Sequence, residues 1–149
     1  MPDIISSALN VPFNDRSFDT VVSTEVLEHV PDPLRALKEM HRVLKSGGHL
    51  ILSTPMYWPR HEVPYDFFRY PYDGLLYLLK EAGFEVVKIL NRGRSYALLG
   101  QVVQHIQPIS GRPINWLING FFLWCDRHLK HDALTMGWTM VGKARKGDD

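Results

Sequence analysis

Two short stretches gather the side chains best suited to acid–base chemistry and recognition. The first ends Thr24-Glu25-Val26-Leu27-Glu28-His29. Glu28 and His29 side by side can accept a proton from an attacking hydroxyl, amine or acidic carbon. Histidine suits that task because its pKa lies near neutrality. The same pair can instead organise a loop through hydrogen bonds. The second stretch is HEVPYDFFRY, residues 61–70, with a histidine, two carboxylates, an arginine and four aromatic rings. Aromatic walls with a few polar groups are what a small-molecule pocket requires. His61 and Tyr65 therefore join Glu28 and His29 as candidate catalytic residues. Asp66 and Arg69, with Tyr57 and Trp58 just before them, are candidates for substrate binding. Arg69 can pair with an acidic substrate group, or with Asp66 inside an aromatic loop packed over the sheet. His29, His61 and Asp66 follow no metal-ligand spacing, so no metal is expected.

These residues must be held by regular elements. Residues 18–23 form a compact apolar run that reads as a buried strand. Asp32-Pro33 then starts a helix, the aspartate as N-cap and the proline at the first position. Leu34, Leu37, Met40 or His41, and Leu44 recur at helical spacing. Lys45 is expected in the last turn, with Gly47-Gly48 ending the helix. Residues 49–54 form the next strand. This unit implies two parallel strands joined by a right-handed crossover. Residues 56–71 read as an irregular loop, 72–82 as a helix stopped by Gly83, and 84–90 and 136–144 as two more strands. Residues 3–9 suggest a further short strand, and residues 145–149 a frayed tail. The connection over residues 91–135 is too long to be bare loop, so helices are expected at 96–106 and 113–129. The second carries Trp116 to Trp124, followed by Arg127, Lys130 and His131. It can pack on its own sheet or another subunit, cover a hydrophobic substrate, or rest on a lipid surface.

Composition narrows the function classes. The chain has 149 residues, 45% hydrophobic and 22% charged, which suits one domain. A net charge of +1 offers no field for nucleic acid. The single cysteine, Cys125, rules out an internal disulfide and fits a reducing, cytoplasmic setting. The first residues have no secretory pattern, and no apolar run is long enough to span a membrane.

Taken in order, several spaced motifs resemble the class I S-adenosylmethionine-dependent methyltransferases of the type 11 kind. They are residues 9–13 with Ser17-Phe18-Asp19, residues 25–30, Asp32-Pro33, and Glu39 with Arg42-Val43-Leu44-Lys45. Gly47-Gly48, Ser53-Thr54-Pro55 and Glu81-Ala82-Gly83-Phe84 continue the series. The resemblance implies an α/β, Rossmann-like sheet of which this chain supplies the third to seventh strands. The last is antiparallel and lies between its two predecessors, after a helical insertion at about residues 93–135. It further implies S-adenosylmethionine as cofactor, a small-molecule or lipid-like acceptor, and a cleft at the carboxyl ends of the strands. Ser7, Ala8 and Leu9 occupy the position of the adenine contact, with Ser7 where the family carries an acid. Thr24, Glu25 and Val26 flank the cofactor. The family's glycine-rich loop has no counterpart, because no G-x-G occurs in the chain. The expectation is a single partial domain, N-terminally truncated, whose open sheet edge favours self-association. A non-catalytic module that pairs with another chain is the alternative.

Overall fold

The computed structural model describes residues 3–106, 113–129 and 131–145. Strand β1 (Phe18–Thr24) leads through a 3₁₀ turn (Leu27–His29) to helix α1 (Pro33–Val43) and strand β2 (Leu44–Pro55). Helix α2 (Tyr72–Glu81), strand β3 (Phe84–Arg92), helices α3 (Ser95–Ile106) and α4 (Pro113–Leu129) and strand β4 (Gly137–Ala144) complete the order. The sheet has four strands in the order β1-β2-β4-β3. β1 and β2 run parallel, with Val21 beside Leu50 and Ser23 beside Leu52. β4 is antiparallel to both β2 and β3 and lies between them. The Rossmann-like arrangement expected from the sequence is thus present.

Four expectations need correction. Residues 3–9 form no strand: a turn closes there, with a lone bridge between Ser7 and Asn10. A strand needs a neighbour to accept its ladder hydrogen bonds, and among the described residues none lies alongside. The sheet therefore carries four strands, not five. Second, α1 ends at Val43, and Lys45 already lies in β2, its ammonium 2.9 Å from both Asp19 carboxylate oxygens. Third, Gly47-Gly48 does not end the helix. The pair forms a bulge inside β2, where the register jumps from Phe18↔Leu44 to Thr20↔His49. Gly47 takes φ +77°, and a Cβ on Gly48 would sit 2.9 Å from the Lys45 carbonyl oxygen. Glycine is needed there for close backbone approach as much as for φ. Fourth, β1 is an edge strand covered on one face only; Ser23 is buried while Val22 is 62% exposed.

The core lies between one face of the sheet and the pair α1–α2. The Asp32 carboxylate accepts the Arg35 backbone N–H at 3.0 Å, the N-cap expected from Asp32-Pro33. Ala36, Leu37, Met40 and Val43 then fall on the buried stripe of α1. Ala36, Leu37 and Met40 share one core with Leu50 and Leu52 of β2, Leu75 and Leu79 of α2, and Phe84 and Met140 of β3 and β4. Each such side chain contributes about 1.5–3 kcal/mol on burial. Arg42 reaches back from α1 to Glu39, Asp15 and the carbonyls of Phe13 and Val11, and so pins the segment before β1.

The two long helices form their own hairpin. Both Asp126 carboxylate oxygens accept backbone N–H groups at the start of α3, from Arg94 at 3.1 Å and Ala97 at 3.0 Å. Gly100 lets the helices approach; a Cβ there would stand 2.9 Å from that of Phe122. α4 therefore packs on α3, leaving Trp116, Phe121 and Trp124 more than half exposed. No helix among the described residues is long and apolar enough to cross a membrane. Lys130 and the tail beyond Arg145 lie outside the described residues.

Candidate functional site

The carboxyl ends of the parallel strands β1, β2 and β3 open on one side of the sheet, where ligands sit in folds of this class. Each end delivers part of the site. β1 ends at Thr24 and turns sharply at Glu25, whose φ of +51° is unusual for a side-chain-bearing residue. Glu25 is held there by three contacts. Its N–H donates to the Ser53 carbonyl at 3.1 Å, the Ser53 hydroxyl donates to its carboxylate at 2.8 Å, and Arg92 from the end of β3 pairs with the same oxygen. The 3₁₀ turn that follows buries Leu27 and Glu28 completely.

The loop after β2 is tied down over that turn. Phe67 and Phe68 donate backbone N–H groups to the Glu28 carbonyl, at 2.9 and 3.3 Å. The Tyr70 hydroxyl donates to the Leu27 carbonyl at 2.8 Å, and the Trp138 indole N–H donates to the Tyr70 carbonyl at 2.9 Å. Burial raises the Tyr70 phenol well above its ordinary value, with the nearby Glu28 carboxyl adding to the effect. Arg69 staples the loop from inside. It pairs with both Asp66 oxygens, at 2.5 and 2.9 Å, and donates to the carbonyls of Trp58, Phe68 and Pro59. Those bonds account for all five guanidinium donors. Arg69 first, then desolvation working in opposition and the His61 backbone N–H, set the Asp66 carboxyl well below the usual carboxylate range. The Asp66–Arg69 pair is thus the loop's internal brace, and a substrate would have to break it.

This brace brings His61 beside His29, with ring centroids 4.7 Å apart and edge-to-face. His29 Nδ1 donates to the Tyr65 carbonyl at 2.7 Å, which turns Nε2 toward the cluster. That nitrogen lies 3.8 Å from Glu28 Oε1 and 3.8 Å from Glu62 Oε2. Glu28 is 0% exposed, and neither of its carboxylate oxygens has a hydrogen-bond partner. Desolvation raises its pKa, and the charge of Glu25 adds to that; its own backbone N–H and the two histidines pull the other way. Tyr65 contributes its main-chain carbonyl, while its side chain is 64% exposed. Of the four candidate catalytic residues, three side chains converge and the fourth acts through its backbone.

Two cavities flank Trp58, and His61 of the cluster lines the first of them. One, of about 280 Å³, is lined by Glu25, Pro55, Trp58, His61, Arg92 and Met136. The other, of about 260 Å³, is almost wholly apolar and lies between the loop and α3, lined by Tyr57, Trp58, Leu98, Val102 and His105 among others. Trp58 borders both. Tyr57 lines only the apolar cavity. Arg92, Met136, Leu98 and Val102 went unsuggested by the sequence, because nothing local marks a residue that reaches the cleft from a strand end or a helix face. At the other end, the Ser7 hydroxyl accepts the Leu9 N–H at 3.1 Å. Ala8 and Leu9 pack against the core edge. Thr24 is exposed, and Val26 is 39% exposed. For a sulfonium donor, the described residues offer an aromatic face at Trp58 and the turn at Glu25. They offer no backbone cradle for an amino-acid carboxylate.

Comparison with known proteins agrees with this geometry. Residues 3–52 match the family described as methyltransferase domain. A demethylmenaquinone methyltransferase of Staphylococcus epidermidis is 59% identical over 44 residues, covering 30% of this chain and 18% of that protein. A ubiquinone/menaquinone biosynthesis C-methyltransferase of Haemophilus ducreyi is 34% identical over 102 residues, covering 66% of this chain and 36% of its own length. The chain thus spans about a fifth to a third of these relatives. A SAM-dependent methyltransferase structure from Methanosarcina mazei superposes with a TM-score of 0.58 at 17% identity, over 95% of this chain and 66% of that one. The fold and the matched motifs are those of the class I methyltransferases.

Proposed function

We propose that this chain, which carries the class I methyltransferase fold, forms the acceptor-facing part of an S-adenosylmethionine-dependent methyltransferase acting on a small, largely apolar molecule with an ionisable oxygen or carbon. The observation that carries the reading is the junction at Trp58. On one side lies an apolar cavity, and on the other a second cavity lined by His61, behind which stand Glu28 and His29. A ring or chain would occupy the first while its reacting atom meets the second. Relatives named as a demethylmenaquinone methyltransferase and a ubiquinone/menaquinone biosynthesis C-methyltransferase support an acceptor of the quinone class.

The cofactor, when bound, supplies an electrophilic methyl group. This chain's residues supply orientation and proton handling. Tyr57, Trp58, Leu98 and Val102 hold the apolar body and exclude water. His29, its tautomer set by the Tyr65 carbonyl, presents Nε2 as the proton-accepting atom, and Glu28 steadies the imidazolium that results. Alignment is the larger share of such catalysis.

Two measurements test the reading. Calorimetric titration of the purified chain with a demethylated quinol should show acceptor binding, weakened by Trp58→Ala. In a preparation that binds S-adenosylmethionine, labelled methyl should pass to that quinol, and His29→Ala should lower turnover more than acceptor affinity. Silent quinol titrations together with no transfer would overturn the proposal. In that case the chain is a methyltransferase-fold module without the activity.

A further inference from the structure

We propose that Glu28, His29 and His61 form a binding site for one divalent transition-metal cation, with Glu62 in reach as a fourth ligand. One ligand atom from each of the first three lies within 4.8 Å of the others. Three observations point to a cation rather than to a plain hydrogen-bond cluster.

The first is the buried carboxylate. Glu28 is 0% exposed and neither oxygen has a hydrogen-bond partner. A buried polar group without a partner is costly, and more so when charged. Native structures keep such a group when something else satisfies it. The second is the state of the two imidazoles. His29 Nδ1 donates to the Tyr65 carbonyl at 2.7 Å, and His61 Nδ1 lies 3.2 Å from the Pro59 carbonyl. Both rings thus have Nδ1 against a main-chain carbonyl, His61 Nδ1 lying also 3.5 Å from Arg69 and 3.6 Å from Asp66, an orientation in which metal-ligating histidines are held. The third is the sign of the charge at the centre. His29 Nε2 faces Glu28 Oε1 and Glu62 Oε2, each at 3.8 Å. Nearby Arg69 spends its hydrogen bonds on Asp66 and backbone carbonyls and touches His61 only at Nδ1, 3.5 Å away, and Arg92 is paired with Glu25. Two carboxylates therefore face one imidazole nitrogen with no arginine ion-paired to either.

The donor set selects the ion. Two imidazole nitrogens and one or two carboxylates suit Zn²⁺, Co²⁺, Fe²⁺ or Mn²⁺, while Mg²⁺ and Ca²⁺ prefer all-oxygen shells. Bonds of about 2.0–2.2 Å require the ligand atoms to close by roughly an ångström. His61 and Glu62 lie in the loop after β2, and Glu62 is itself held at φ +49°, so side-chain rotation there supplies the closure. The site opens on the cavity lined by His61 and Trp58. A bound cation would therefore receive an oxygen of whatever small molecule enters. In that state His29 is a ligand, and lowering the pKa of a bound hydroxyl would fall to the cation. The binding itself does not depend on the methyl-transfer reading.

The test uses the chain stripped with a chelator and dialysed. Zn²⁺ is titrated by calorimetry, and Co²⁺ is followed by its visible absorption. One ion per chain is expected, with Mg²⁺ giving no comparable signal. His61→Ala, in a loop away from the core, should fold normally by circular dichroism and bind Co²⁺ at least about tenfold more weakly. His29→Ala and Glu28→Gln should do the same, and His128→Ala on α4 should bind as the parent does. An absent Zn²⁺ signal, or His61→Ala binding unchanged from the parent, would overturn the proposal. Neither readout involves methyl transfer, so the two proposals fail separately.

Discussion

Asp126→Ala tests whether the α3–α4 hairpin is a unit hinged on one carboxylate. In the parent, that carboxylate accepts two backbone N–H groups at the start of α3. A side-chain N-cap is worth about 0.5–2 kcal/mol, and charge-assisted bonds lie at the upper end. Two such bonds put the local loss at roughly 1.5–3 kcal/mol. Arg94 keeps its bond to the Asp126 carbonyl and its pair with Asp132, so the hairpin should loosen rather than detach. A loss of that size raises the opening equilibrium about 10- to 150-fold. Hydrogen exchange read by mass spectrometry should show it in α3 and α4, while β2 and β4 keep their protection. Because α3 supplies Leu98 and Val102 to the apolar cavity, affinity for an apolar acceptor should fall with it. Asp126→Asn, which keeps one acceptor oxygen, should lie between. Faster exchange spread evenly over sheet and hairpin, or no change in α3, would refute the reasoning.

Other substitutions follow from the same coordinates. Gly83→Ala should destabilise by about 2–4 kcal/mol in urea unfolding, since φ is +92° and the new Cβ would meet the His41 ring at 2.9 Å. Gly120→Ala in α4, where nothing lies within 4 Å, should instead stabilise by up to about 1 kcal/mol; equal signs for the two would contradict the packing described. Leu37→Ala, at a position 0% exposed between α1 and the sheet, should cost about 2–5 kcal/mol in the same experiment. Arg69→Lys keeps the charge but has three donors where five are used. Proteolysis within residues 56–71 should accelerate, and an unchanged rate would show that the loop does not depend on this brace.

Much of the architecture was legible in the chain because its signals are local. Asp32-Pro33 capped a helix, and apolar periodicity in α1 marked its buried face. The two helices in the long connection fell within a residue of their expected bounds. The family-specific order of motifs implied the antiparallel strand between its two predecessors, which no local signal could have done. Errors arose where pairing outweighed propensity. Gly47-Gly48 looks like a helix stop, yet here it is a bulge, because β2 begins as soon as α1 ends and needs the extra length to meet β1.

The candidate site divides along the same line. Residue type alone nominated Glu28, His29, His61, Asp66 and Arg69. Their roles came from distances across the fold, which no spacing encodes. Asp66 and Arg69 turned out to hold the loop, and Tyr65 to act through its carbonyl. His61 lies thirty-two positions after His29, and the loop's hydrogen bonds with the Glu28 and Leu27 carbonyls and with the His29 ring bring the two rings together. The sequence by itself settled which chemistry was available, because side-chain type sets donors, acceptors and charge. The tertiary structure decided which groups are left unpaired and facing one another, because burial and hydrogen-bond satisfaction depend on every element at once.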